Sequence, residues 1–150
     1  MSGNIGETDL SVLLSTLHFT VHPKVFVFAT TPIDMSPSPQ SKLPPSAIQM
    51  SFREAEGTTV ITTLDDLKKY HPDLEYQFPC RMITLQVHSS LEAIGFLATV
   101  ASKLAYKGIS CNPVSGYYHD HLFVPVAMVD DALEVLTKTA EDAKARSTKE

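Results

Sequence analysis

The chain has little cysteine: two residues in 150, Cys80 and Cys111, far apart and without C-x-x-C spacing. That spacing excludes a disulfide framework and a cysteine-built zinc site. Each reads as a buried free thiol, which points to a reducing compartment. Basic charge is also scarce, with 12 Lys and Arg against 17 Asp and Glu for a net charge of −5. The pair Lys68-Lys69 belongs to no basic stripe, so neither nucleic acid nor an anionic membrane is expected as the main partner. No apolar run approaches the about 20 residues that cross a bilayer, and no basic stretch precedes the first apolar residues. The chain is therefore expected to stay in the cytoplasm or nucleus, and the cytoplasm is the expectation carried forward. Catalytic signatures are missing as well: there is no H-E-x-x-H, no nucleophile elbow and no phosphate-cradling glycine loop. No cofactor is expected.

What is present is ordinary globular material, 43% hydrophobic and 19% charged. A chain this long buries about 70% of its unfolded surface, so it folds without crosslinks or metal. Thr8-Asp9 opens a short helix with Leu10, Leu13, Leu14 and Leu17 on one stripe. Val25 to Ala29 is β-branched and aromatic without helical period, and reads as a buried strand. The stretch from Pro32 to Ser46 holds five of the ten prolines and reads as an exposed loop that adds no core. Ile48, Met50 and Phe52 alternate onto one face of a strand. Glu56-Gly57 turns the chain, and Thr58 to Thr62 returns it. Thr63 caps a brief helix through Tyr70, and Asp73 to Pro79 reads as a connector.

The second half is more regular. Arg81 to Val87 is a strand, and Ser89-Ser90-Leu91-Glu92 fits a capping box at a helix start. Leu91, Ile94, Leu97, Ala98, Ala101, Leu104 and Ala105 trace the apolar face of that helix, and Gly108 suits the position just past its end. Ile109 to Val114 and Leu122 to Val126 are two more strands, joined at a tip of Gly116 to His121. A last helix turns Val129, Ala132, Leu133, Leu136, Ala140 and Ala143 inward. The order strand, helix, strand, strand, helix is a split βαβ unit lacking its closing strand. An uncovered edge invites aggregation, so another segment should close it. Val25 to Ala29, which follows a helix, is the expected one. The fold class is α+β: two ferredoxin-like, βαββαβ-type modules with antiparallel sheets covered by helices, the halves completing each other's sheets. The division expected is 1–76 and 77–150, the first half carrying the Pro/Ser-rich insertion at 32–46.

The stretch Arg81-Met82-Ile83-Thr84-Leu85-Gln86-Val87-His88-Ser89-Ser90-Leu91-Glu92-Ala93-Ile94-Gly95-Phe96-Leu97-Ala98 resembles a group of small tandem ACT-domain proteins. Gly116-Tyr117-Tyr118-His119-Asp120-His121-Leu122-Phe123-Val124-Pro125 is similar to that group's second signature. In the N-terminal half, Leu13 to Leu17, Val25 to Phe28 and Phe52 to Thr58 also fit, so the resemblance covers nearly the whole chain. The resemblance implies ACT-like modules, which bind amino acids or similar effectors between first strand and first helix, as in eukaryotic arginine sensors. It implies a homodimer and an output through a partner protein or a change of oligomer. It places the ligand near Val87 to Gly95. A helix start with free amides and about half a positive charge suits a carboxylate there. The candidate ligand-binding residues are His88, Ser89, Ser90, Leu91, Glu92 and Gly95, joined by Tyr117, His119 and His121 of the hairpin tip.

Three functional readings remain open. The first is a regulatory protein that binds a small metabolite, an amino acid by the resemblance, and is not an enzyme. The second is a small enzyme using the tip His119-Asp120-His121, with or without a metal, since side chains at i and i+2 of an extended segment share a face. The third is an interaction module without ligand.

Overall fold

The computed structural model describes residues 6–31 and 43–149. In chain order the elements are α1 (Leu10–Ser15), β1 (Phe19–Val21), β2 (Phe26–Thr31), β3 (Ile48–Arg53), β4 (Thr58–Thr63), α2 (Leu64–Tyr70), β5 (Tyr76–Leu85), α3 (Phe96–Tyr106), β6 (Asn112–Ser115), β7 (Asp120–Pro125) and α4 (Val129–Ser147). They divide into two compact units. One is Pro23–Cys80, and the other joins the chain before Pro23 to the chain after Cys80.

In the unit Pro23–Cys80 the strand order is β3-β4-β2-β5, antiparallel throughout, with β5 contributing only its first residues. Its core is Val27, Ala29, Val60 and Leu67 with Leu43 and Ala47. Helix α2 starts at Thr63, whose hydroxyl accepts from the Asp66 amide at 3.1 Å, satisfying a donor the first turn leaves open. The hairpin closes with the Glu54 amide donating to the Gly57 carbonyl at 2.9 Å. A Cβ on Gly57 would stand 2.8 Å from both the Thr30 hydroxyl and the Thr31 carbonyl, so only glycine fits that turn.

Three expectations need correction in this unit. Phe52 is 64% exposed, because β3 is an outer strand whose register slips between Ile48 and Met50. Most of the proline-serine stretch (32–42) lies outside the described residues, but its end does add core. Leu43 and Ala47 are buried, and the Thr62 hydroxyl donates to the Ala47 carbonyl at 2.6 Å. The expected connector Asp73 to Pro79 is half strand, since β5 begins at Tyr76. Pro79 has no amide to donate, and the pairing of β2 with β5 absorbs it through a bulge between Phe26 and Phe28. Phe78 takes a left-handed φ of 56° there.

In the second unit the order is β1-β5-β7-β6, with β5 present from Arg81 onward. The closing strand is β1, with Phe19 opposite Leu85 and Val21 opposite Ile83. It is not Val25 to Ala29, of which Phe26 to Ala29 belong to β2 of the other unit. The physical demand was met, an edge being covered by the N-terminal part of the chain, but by a shorter segment. Leu13, Leu14 and Leu17 join Ile83, Leu85, Val100, Leu104, Leu122 and Leu136 in one core. Asp9 caps α1 by accepting from the Val12 amide at 3.0 Å. Helix α3 ends as its sequence predicts: the Gly108 amide donates to the Ala105 carbonyl and the Ile109 amide to the Leu104 carbonyl, with Gly108 at φ 72°.

Candidate functional site

The turn between β5 and α3 departs from the sequence reading. Helix α3 starts at Phe96, not at Ser90, and its N-cap is Gly95 in the left-handed region at φ 88°. Among the described residues an added Cβ there would meet only Leu10 Cδ2 at 3.7 Å, so backbone conformation, not crowding, demands the glycine. No side chain among the described residues caps the helix. The capping box therefore does not form. The Ser89 hydroxyl donates to Asp120 Oδ2 at 3.0 Å, both residues being buried, and the Ser90 hydroxyl accepts from the Glu92 amide at 3.1 Å within a turn. Leu91 and Ile94, expected on the apolar face, are 66% and 87% exposed because they precede the helix.

Residues from far upstream hold this turn. The Glu7 amide donates to the His88 carbonyl at 2.8 Å, and the Ser90 amide donates to the Glu7 carbonyl at 2.9 Å. Gly6 lies so close that a Cβ would stand 2.7 Å from the Ser90 nitrogen. Sequence reading missed Gly6 and Glu7. No local pattern signals a two-bond parallel bridge between residues 82 positions apart (89 minus 7).

The structure brings the hairpin tip to the same turn. His119 Nδ1 donates to the Val87 carbonyl at 3.3 Å, the rings of His88 and His119 are 6.4 Å apart, and those of His88 and Tyr118 5.8 Å. Tyr117 packs edge-on to Tyr118 at 4.9 Å, and both are more than half exposed. His121 is turned elsewhere: its Nδ1 shares a hydrogen bond of 2.9 Å with Thr84 Oγ1 on β5. Burial lowers the pKa of His121, with the neighbouring His119 acting the same way against a smaller opposing effect of Asp120. Among the described residues, no group of three or more His, Cys, Asp or Glu is placed to hold a metal ion. Of the nine candidates, His88, Tyr117 and His119 thus cluster beside the turn, Ser89 and His121 are held by internal hydrogen bonds, and Ser90, Leu91, Glu92 and Gly95 form the turn itself.

The match to known proteins is decisive for the family. The sequence matches the ACT domain over residues 5–81 and again over 77–138. The chain belongs to the ACT-domain family. A Vibrio cholerae protein of unknown function, VC0802, is 36% identical, with a TM-score of 0.73 over 87% of this chain and 95% of that one. Atu0741 from Agrobacterium tumefaciens is 16% identical, with a TM-score of 0.67 over 83% and 89%. The regulatory subunit of aspartate kinase from Thermus flavus shares the fold at 9% identity and a TM-score of 0.55, over 81% and 95%. No curated protein matches the chain. The second ACT domain thus contains the turn and the hairpin tip, while the residues that brace the turn, Gly6 and Glu7, come from the stretch matched by the first. Among the described residues no helix is long and apolar enough to cross a membrane.

Proposed function

We propose that this tandem ACT protein is a regulatory, ligand-sensing module, not an enzyme, and that it takes an amino acid at the turn between β5 and α3. In sequence the modules are 1–76 and 77–150. The supporting observation is the start of α3, an eleven-residue helix opened by Gly95 with no side-chain cap. The amides of its first turn and the positive end of its dipole suit a carboxylate. His88, Tyr117 and His119 stand beside the turn and offer polar and aromatic contacts to the rest of such a ligand. Ser89 acts indirectly, by tying the turn to Asp120. Ser90, Leu91 and Glu92 present the turn's outer surface, and His121 steadies the hairpin through Thr84. Output then passes to a partner protein or to a homodimer whose association the ligand changes, in the cytoplasm.

A thermal-shift screen of the twenty amino acids, followed by calorimetry, tests this reading. A ligand present at about 100 times its Kd stabilises the native state by about 2.7 kcal/mol, a readily measured rise in Tm. Light scattering with and without the bound amino acid then reads the oligomer. No shift with any amino acid at millimolar concentration would sink the reading.

A further inference from the structure

The unit Pro23–Cys80 contains a cavity of its own, about 670 Å³, inside the range of small-molecule sites (roughly 300–1,000 Å³). It is bounded by Phe28 and Thr30 of β2, Thr59 of β4, and Asp73, Glu75 and Tyr76 at the entry to β5. Phe28 is set by a T-shaped contact with Phe78, ring centroids 5.8 Å apart. Phe78 is the left-handed residue of the β5 bulge, a conformation that a bulky side chain seldom adopts. The bulge thus places one aromatic against another at the cavity wall. Charge in the lining has one sign. Asp73 and Glu75 are carboxylates, and among the described residues no Lys, Arg or His side chain lines the cavity. The Thr59 hydroxyl donates to the Glu54 carboxylate.

We propose that this cavity binds a small organic cation, an amine that carries no carboxylate. Its ammonium group would sit between Asp73 and Glu75, with the rings of Phe28 and Tyr76 supplying cation–π contact and the Thr30 hydroxyl a hydrogen bond. An α-amino acid does not suit it, because its carboxylate would face the two acids with no cation among the described lining residues to answer it. The ligand class therefore differs from that of the β5–α3 turn, and the two sites stand or fall separately.

Amide-resolved NMR and calorimetry on the full chain at low salt test the proposal, with 1,4-diaminobutane as probe. Two molecules of similar length, 4-aminobutanoate and butane-1,4-diol, serve as comparisons. The diamine is expected to shift the amides of Thr30, Thr59 and Tyr76 saturably, and both comparison compounds to bind at least about tenfold more weakly. Asp73 and Glu75 are exposed, so a double variant, Asp73→Asn with Glu75→Gln, keeps the fold, which an unchanged Tm checks. That variant should lose at least about tenfold in diamine affinity. Tyr76→Ala should also weaken binding; unchanged affinity in it would mean that surface charge alone holds the diamine, and the cavity assignment fails. It fails equally if about 10 mM diamine moves none of those amides, or if 4-aminobutanoate binds as well.

Discussion

Ser89 shows how a local pattern can serve a distant contact. Its hydroxyl reaches Asp120 on β7, 31 positions along the chain, and both groups are out of water. Ser89→Ala should leave that carboxylate short of a donor and cost about 1–3 kcal/mol in urea unfolding, whereas Ser90→Ala, whose side chain serves only a surface turn, should cost well under 1 kcal/mol. Equal costs would mean that the buried pair is not what secures the turn. His121 gives a second test, through pH. Its folded pKa lies below the ordinary value of 6.5. As the pH falls from about 6.5, the unfolded chain takes up the proton first, so stability is lost until the pH passes the folded pKa. Above about 7 this residue gives no slope. His121→Gln should flatten the acid limb of a Tm-against-pH curve, although it also alters the bond to Thr84. Cysteine reactivity belongs at this scale too. Burial pushes the Cys80 thiol up to about 12 and Cys111 to about 11. Cys80 is fully buried and donates to the Phe26 carbonyl at 3.4 Å, so a thiol reagent at pH 8 should label Cys111 first. Neither the Ser89 nor the His121 behaviour could be read from the neighbours of these residues, because each depends on a partner brought in by the fold.

The elements were mostly legible, and the failures have physical causes. Helices α1 and α2 announced themselves by their caps, α1 and α4 by apolar stripes, and hairpin β3–β4 by its glycine turn. Helix α3 was misplaced at its start because Ser89 and Glu92 have capping spacing, while the decisive residue was Gly95 with its positive φ. Gly95→Ala should therefore destabilise by about 1–2 kcal/mol through backbone strain alone, since the space around it is open. A thermal melt showing no loss would mean that the turn relaxes, and with it the rationale for this glycine. β1 escaped notice because three residues between His18 and His22 give alternation too little length to register. The proline-serine stretch misled in the opposite direction: its composition hid Leu43, whose side chain is buried in the core of the unit Pro23–Cys80. Leu43→Ala should cost about 2–4 kcal/mol. The site was partly legible: the histidines and tyrosines of the tip could be named in advance, but the brace from Gly6 and Glu7 could not.

At the scale of the whole chain, sequence order and spatial order disagree. The ACT domains follow one another along the sequence, with matches meeting between residues 77 and 81, yet α1 and β1 are built into the unit formed by the chain after Cys80. A fragment from Gln77 onward would thus lack the strand opposite Ile83 to Leu85 and the leucines of α1. Both losses strip apolar burial and backbone pairing from the centre of its sheet, so the fragment should show little amide protection across Ile83 to Val87 in hydrogen exchange. The sharper experiment restores the missing piece at the other end. Leu10, Ser11 and Leu14 line a small cavity together with Ala143, Arg146 and Ser147, so the start of α1 lies beside the end of α4. A linker of about ten Gly and Ser residues could join them with little closure cost. A permuted chain in which residues 77–149 are followed by that linker and then by residues 6–22 should recover protection at Ile83 to Val87. Recovery would show that this unit carries its own stability once its strands are complete. Persistent exchange in the permuted chain, despite correct length and composition, would show that the unit Pro23–Cys80 is also required. Strong protection in the simple fragment would show that β1 and α1 are dispensable to this unit.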